Sequence, residues 1–326
     1  MTKAIRISEK GGPDVMKAVD VEVGAPGEGE ALIRHTAIGV NMVDVYHRSD
    51  TEGQYAIPVP NTLGVEAAGV VEAVGSGVEG IKVGDRVAYC MVLGAYCEKR
   101  LIPAEKLVKL PEYITDEIAA ACMIQGLTAQ YLLHSSYKVT AESTILIHAA
   151  AGGVGLIMCQ WARDIGATVI GTVGTSAKGE LAMENGCDHV IYYREEDFVA
   201  RVKEITGGAG VDVVYDSVGL DTFSKSLECL RPLGTIVNFG QASGAVPPLD
   251  ISLLAKSGSV FLAKPTLATY VAQSDQMREM ARNLFDKINS GAIKINVSQS
   301  VPLGDIVQLH RDMADRKTVG SVLLKP

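Results

Sequence analysis

A short apolar run, Thr144-Ile-Leu-Ile147, leads directly into His148-Ala-Ala-Ala-Gly-Gly-Val-Gly155, and no other stretch restricts the fold of this chain as strongly. The run reads as a buried strand, and the segment after it as a glycine turn opening into a helix. A turn without side chains lets backbone approach a pyrophosphate, and the free N–H groups of the following helix attract its charge. The spacing is Ala150-x-Gly152-x-x-Gly155, with alanine where the usual fingerprint begins with glycine. A lone match would say little, but this one has a strand before it, a helix after it and a second strand at the expected distance. The reading is a dinucleotide-binding unit.

Val154, Met158, Trp161 and Ile165 recur at helical spacing and give the helix one apolar face to lay on a sheet. Gly166 stops it, and Ala167-Thr-Val-Ile-Gly-Thr-Val173 begins a strand rich in β-branched residues. The stretch from Ile145 to Ala162 contains no Asp, Glu, Lys or Arg, yet paired glycines and His148 in its middle argue against a membrane helix. NAD-binding units carry an acid at the end of the second strand, where it accepts hydrogen bonds from the ribose hydroxyls. Here the segment is Gly171-Thr-Val-Gly-Thr-Ser-Ala-Lys178, with no acid before Glu180. Gly174, Thr175 and Lys178 suit a 2′-phosphate, which favours NADPH over NADH. The plain alternative for Lys178 is a solvated residue in the first turn of the next helix.

A chain of 326 residues exceeds the usual single core, so two domains are expected. A net charge of −8 gives no support for nucleic acid or an anionic membrane surface. The first ten residues lack the apolar core of a secretory signal, which makes the cytoplasm the expected location. The six cysteines show no C-x-x-C pairing, so neither a disulfide framework nor a zinc ribbon is expected.

Residues from about 1 to 120 read as strand-rich, and from about 124 to 265 strands and helices alternate. Strands are expected at His189–Tyr193, Val211–Asp216 and Thr235–Phe239, with helices over Glu195–Thr206 and near Asp221–Leu230. That alternation predicts a doubly wound parallel sheet. The final part holds one strong helix, Ser274–Ser290. Ligand contacts in such sheets gather at the carboxyl ends of strands, which singles out Ser217 and the pair Phe239-Gly240.

With these segments in view, the chain resembles the zeta-crystallin-type quinone oxidoreductases, a zinc-independent branch of the medium-chain dehydrogenase/reductase superfamily. The resemblance rests on Gly11-Gly-Pro13, Ala37-Ile-Gly-Val-Asn-Met-Val-Asp44, Leu63-Gly-Val-Glu-Ala-Ala-Gly-Val-Val71, Gly84-Asp-Arg-Val87, Gly126-Leu-Thr-Ala129, the turn ending at Gly155, and Tyr215-Asp-Ser-Val-Gly219. It implies an α/β protein with a GroES-like β-rich catalytic domain (residues 1–123 and 267–326), a central Rossmann domain (124–266) and a homodimer. Zinc-dependent relatives carry a Cys near the position of Asn41 and a His where Val65 stands, so no zinc and no metal site are expected. Without a Lewis acid, alcohol oxidation loses its main stabiliser, whereas reduction of an activated acceptor does not need one.

Carried over by resemblance, Asn41 and Tyr46 belong beside the nicotinamide and substrate, with Tyr55 in a loop longer than close relatives have. Gln125 occupies a position where some relatives have Lys. Gly153 and Val154 meet the pyrophosphate, and Lys178, Tyr193 and Arg316 resemble the group around the 2′-phosphate. The implied activity is metal-free reduction of a quinone or electron-poor enone by NADPH, through hydride or one-electron transfer. Two alternatives stand beside it: an enoyl or acrylyl thioester reductase, and a low-turnover crystallin-like protein that binds NADPH or RNA. The net charge disfavours RNA.

Overall fold

The computed structural model describes all of residues 1–326. The first half of the chain forms β1 (Thr2–Ile7), β2 (Lys17–Val21), β3 (Glu30–Val40), α1 (Met42–Ser49), β4 (Asn61–Thr62), β5 (Glu66–Val74), β6 (Arg86–Cys90), β7 (Lys99–Pro103), β8 (Val108–Lys109) and α2 (Asp116–Tyr131). Next come β9 (Thr144–Ile147), α3 (Gly153–Ile165), β10 (Thr168–Val173), α4 (Ser176–Glu184), β11 (His189–Tyr192), α5 (Phe198–Ile205), β12 (Val211–Asp216), α6 (Phe223–Ser226), β13 (Leu230–Asn238), α7 (Ser252–Lys256), β14 (Phe261–Ala263) and α8 (Leu267–Tyr270). The chain ends with α9 (Ser274–Asn289), β15 (Val297–Pro302), α10 (Ile306–Ala314) and β16 (Ser321–Lys325). These elements form two units, residues 1–125 with 271–289 and 295–326, and residues 126–270 with 290–294.

In the first unit, a seven-stranded sheet runs β15-β16-β3-β5-β6-β8 with β7 also on β3, beside a small sheet β2-β1-β4. The last strand, β16, lies antiparallel to β3 and pairs Val322 with Val40, so strands from the first and last parts of the chain build one sheet. The end of β3 is buried on both faces and leads into Asn41. Gly39 is required there, because a Cβ would stand 2.2 Å from the Ala120 carbonyl oxygen and 2.4 Å from Glu66 Oε2. The core of this unit gathers Ile5, Ile33, Val71 and Tyr89 from the strands, Tyr96 from the connection between β6 and β7, and Leu309 and Met313 from α10.

The second unit is a six-stranded parallel sheet in the order β11-β10-β9-β12-β13-β14. Ile145, Leu146 and Ile147 of β9 are fully buried, as a central strand covered on both faces requires. Register places Ile145 beside Val169 of β10 and Val213 of β12, so the turn after β9 opens at the middle of the sheet's carboxyl edge. Gly166 caps α3 in the left-handed region, as the stop signal predicts.

Three expected elements differ. The strand-rich first part contains α1 and the start of α2. Ala119 to Ala129 of α2 are all buried, so no solvent-facing polar stripe marks the helix in sequence. The helix expected near Asp221–Leu230 shortens to α6 and a tighter turn. Asp216 Oδ1 holds the chain before it by accepting from the Val218 N–H (2.8 Å), the Gly219 N–H (3.0 Å) and the Thr222 hydroxyl (2.9 Å). The final part adds α10 to the helix expected there, because Ile306, Leu309 and Met313 bury a second apolar stripe.

Candidate active site

The turn after β9 is pinned at both sides. The Ala150 N–H donates to Thr172 O (3.1 Å) on β10, and the Gly152 N–H folds back to Ala149 O (2.9 Å). His148 bridges two neighbours, with Nδ1 2.9 Å from Thr172 Oγ1 and Nε2 2.8 Å from Ser226 Oγ. The left-handed residue is Ala149, at φ 55°, and no glycine of the fingerprint. Gly155 is demanded by approach instead: a Cβ there would meet Ala149 O at 2.5 Å and Ala150 O at 2.7 Å. Gly152 precedes α3 with extended dihedrals, and Gly153, Val154 and Gly155 form the first helical turn, whose N–H groups lack intrahelical acceptors. Such a turn is an anion cradle.

At the end of β10, Thr175 caps α4, its hydroxyl oxygen accepting from the Lys178 N–H (3.4 Å). A Cβ on Gly174 would lie 3.1 Å from the Tyr193 hydroxyl and 3.3 Å from Arg194 Nε. Gly174, Thr175, Lys178 and Tyr193 therefore cluster at one strand end, joined by Arg194, which the sequence reading did not single out. Donors and cations stand where an NAD site has its acid, which fits a dinucleotide carrying a 2′-phosphate. Arg316 belongs to the other unit, in the exposed turn that closes α10.

Farther along the carboxyl edge, Gly240 lies directly on Ser217, since a Cβ would meet Ser217 O at 2.6 Å. The Phe239 N–H donates to Asp216 O (2.9 Å), and its ring is half-buried. Beside them, Lys264 Nζ donates to Asn238 Oδ1 (2.6 Å). Burial lowers the Lys264 pKa, and Asp216 opposes that shift.

The first unit concentrates its polar side chains around Asn41. Its backbone N–H donates to Asp44 Oδ2 (2.8 Å), closing the first turn of α1. Its amide Nδ2 donates to Glu66 Oε2 (2.7 Å), and its Oδ1 accepts from Gln125 Nε2 (3.4 Å). Glu66 Oε1 accepts from the Ile124 N–H (2.6 Å). Both carboxyls are fully buried: burial raises Glu66 to about 8, and Asp44 to about 7. The Tyr96 hydroxyl donates to Asp44 Oδ2 (2.9 Å) and lies 3.2 Å from His310 Nε2, while Arg48 Nη1 stands 3.0 Å from His310 Nδ1. Arginine only donates, so Nδ1 accepts and Nε2 carries the proton of a neutral imidazole. Burial and the Arg48 charge agree, holding His310 down at about 3. This network fixes α1, and with it Tyr46.

Tyr46 and Tyr55 meet with ring centroids 4.8 Å apart. Asp50 shapes the loop between them. Its Oδ1 accepts from the Gly53 N–H (2.7 Å) and its Oδ2 from the Tyr55 N–H (2.9 Å), contacts that lower its pKa. Asn41, Tyr46, Tyr55 and Gln125 thus all fall in the first unit, and Ala150, Gly152, Gly153, Val154, Gly155, Gly174, Thr175, Lys178, Tyr193, Ser217, Phe239 and Gly240 in the second.

No group of three or more His, Cys, Asp or Glu side chains is placed to hold a metal ion. Two domain models match the chain, the alcohol dehydrogenase GroES-like domain over residues 27–141 and the zinc-binding dehydrogenase domain over 153–286. The zinc in the second name finds no donor set here. Quinone oxidoreductase 1 of Escherichia coli is 46% identical over 330 residues, covering 100% of both chains. The 2-haloacrylate reductase of a Burkholderia species is 46% identical over 331 residues, covering 100% of this chain and 99% of its own. A crystal structure of the E. coli quinone oxidoreductase complexed with NADPH superimposes with a TM-score of 0.96, at 46% identity over 99% of this chain and 100% of that one. By full-length sequence and by fold, the chain belongs to the quinone oxidoreductase family of the medium-chain dehydrogenase/reductase superfamily.

Proposed function

We propose that this protein is an NADPH:quinone oxidoreductase, reducing quinones or related electron-poor enones without a metal. The observation that carries the reading is the pair formed by the Gly155 turn and the donor-rich end of β10, within a chain of full-length quinone oxidoreductase kinship. Ala150, Gly152, Gly153, Val154 and Gly155 would hold the pyrophosphate. Gly174, Thr175, Lys178, Tyr193 and Arg194 would hold the 2′-phosphate, with Arg316 as a further cation. Ser217, Phe239 and Gly240 would border the ribose and nicotinamide, and Asn41 and Gln125 are the cofactor-binding residues proposed in the first unit. NADPH bound there supplies the reducing equivalents. The Asn41 amide and the Tyr46 hydroxyl donate hydrogen bonds to the acceptor oxygen as charge develops on it, and Tyr55 packs on Tyr46 to exclude water. The final proton comes from Tyr46 Oη or from solvent.

The 2-haloacrylate reductase relative favours a second acceptor class, an activated alkene, on the same scaffold. A homodimer is the proposed assembly. It is supported by β14, an edge strand that leaves Phe261 at 60% and Leu262 at 42% exposure. The cytoplasm is the proposed location, a reducing compartment that suits six free, buried cysteines. No helix is long and apolar enough to cross a membrane. Salt-sensitive retention on RNA would move the crystallin-like alternative forward.

The test is NADPH consumption, followed by its absorbance, with benzoquinone, a naphthoquinone, an enone, 2-chloroacrylate and crotonyl-CoA, and NADH run in parallel. Quinone turnover with NADPH preferred is the expected outcome. Turnover of the thioester alone, or tight NADPH binding with no turnover of any acceptor, overturns the proposal.

A further inference from the structure

Beyond Asn41, the buried hydrogen bonds continue in a line. The Ser321 hydroxyl lies 2.6 Å from Gln125 Oε1 and 3.0 Å from the Ala121 carbonyl oxygen. Gln125 Nε2 then donates to Asn41 Oδ1, and Asn41 Nδ2 to Glu66 Oε2. A serine has one proton and cannot donate to both acceptors at once. The chain therefore has two self-consistent polarities. With Glu66 ionised, Ser321 donates to Gln125, Gln125 to Asn41 and Asn41 to the carboxylate. With Glu66 protonated, its hydroxyl donates to Asn41 Oδ1, both amides turn over, Gln125 donates to Ser321, and Ser321 donates to Ala121. Each amide group keeps its place, with only its oxygen and nitrogen exchanged. The Ile124 N–H anchors Glu66 Oε1 in both states.

We infer that Glu66 is a positioning residue for the reaction, its protonation choosing, through Gln125 and Ser321, which end of the Asn41 amide is offered to the reacting groups. The choice matters because only the nitrogen end donates a hydrogen bond. Glu66, Gln125 and Ser321 are 0%, 8% and 2% exposed, so water does not compete for these partners. The titratable groups facing Glu66 are Asp44 from α1, Tyr89 and Cys90 from β6, Tyr96, and Cys122 from α2. The thiols and phenols are all held above their ordinary values by burial and stay neutral, which leaves Asp44 as the one competing carboxyl. Its Oδ2 engages the backbone N–H of Asn41 and leaves the amide alone.

The test, which rests on the assignment of Asn41 to the reacting groups, uses the full chain with NADPH and benzoquinone and reads kcat/KM against pH. The wild type is expected to show two plateaus about tenfold apart, the effect of one oriented donor. In Glu66→Gln the Ile124 N–H keeps the amide oxygen on its own side, so the Nε2 end donates to Asn41 Oδ1. That variant is expected to hold the wild type's acid plateau across the range, with NADPH affinity unchanged. Ser321→Ala removes one bond from the ionised state and two from the protonated one. It is expected to move the inflection toward acid by roughly 0.5–1 pH unit, the equivalent of about one hydrogen bond. Should Glu66→Gln fail to fold, that shift and the matching shift of the buried carboxylic-acid stretch in infrared difference spectra decide the matter. An unmoved inflection in Ser321→Ala, or one that persists in Glu66→Gln and vanishes in Asp44→Asn, overturns the inference. Wild-type turnover in Asn41→Ala overturns the Asn41 assignment itself; lost turnover there beside an unaltered Glu66→Gln profile overturns only the role of Glu66.

Discussion

Adding one methyl group at Gly155 is expected to weaken both the fold of the cofactor unit and its hold on NADPH. The methyl would meet Ala149 O at 2.5 Å and Ala150 O at 2.7 Å, both backbone atoms. A side chain could swing away, but these carbonyls cannot move without shifting the turn. That turn is fixed by the Ala150 N–H bond to Thr172 O and already carries Ala149 at φ 55°. Overpacking of this kind costs about 1–3 kcal/mol. In a unit of this size each kcal/mol lowers the unfolding temperature by roughly 2–4 °C. Displacing the N–H groups of the first turn of α3 together with these carbonyls is expected to raise the NADPH dissociation constant about tenfold, equivalent to about 1.4 kcal/mol. Gly152→Ala is the internal control, because its Cβ meets only Ala149 O, at 3.2 Å, and its φ of −76° suits any residue. Calorimetric melting with and without NADPH, and titration of cofactor fluorescence, read both effects. If Gly155→Ala melts and binds like the wild type, or no worse than Gly152→Ala, close backbone approach is not what the third glycine serves.

Lys178→Ala and Arg194→Ala are each expected to lower the kcat/KM preference for NADPH over NADH by roughly threefold to tenfold, the value of one charge-assisted bond reduced by solvent. An unchanged ratio in both would place the 2′-phosphate elsewhere. Asp50→Ala releases the Gly53 and Tyr55 N–H groups and should raise the quinone KM several-fold with kcat nearly constant, since the Tyr55 ring loses its register on Tyr46; equal loss in kcat would put Tyr55 in the chemistry instead. Stability should fall as pH rises from about 4.5 to about 8. In that window the unfolded chain has released the protons that Asp44 (about 7) and Glu66 (about 8) retain in the fold, so the unfolded state binds fewer protons. Urea unfolding across this range should show a slope on the order of 1 kcal/mol per pH unit that Glu66→Gln reduces, and a flat profile would mean that the two carboxyls ionise freely in the fold.

The cofactor unit was largely legible because its constraints are local. The β9 run, the turn, the helix stripe and Gly166 lie within some two dozen consecutive residues, and each is enforced by neighbours in sequence. Arg194 was missed because it approaches Gly174 only through the parallel pairing of β10 with β11. The surroundings of Asn41 were far less readable. Glu66 is a single acid in an apolar run, and its partners Asn41 and Ile124 stand 25 and 58 positions away. Ser321 reaches Gln125 across 196 residues, because β16 returns to the edge of β3. Long-range pairing of that kind leaves no periodic signal.

The same distances explain why these polar groups are costly to keep. A carboxylate removed from water is penalised by several kcal/mol unless its oxygens find donors. The donors here are neutral: the Asn41 amide and the Ile124 N–H for Glu66, the Asn41 N–H and the Tyr96 hydroxyl for Asp44. Neutral donors leave a buried carboxyl close to its titration point at physiological pH, whereas a cation would hold it ionised. An apolar residue of similar volume at position 66 would fill the space beside Gly39 without that penalty, and it would also leave the Asn41 Nδ2 without its acceptor. What the carboxyl at this position adds to the fold is therefore orientation of one amide rather than net stability, and that amide follows directly on β3, the strand that holds β16 on one side and β5 on the other.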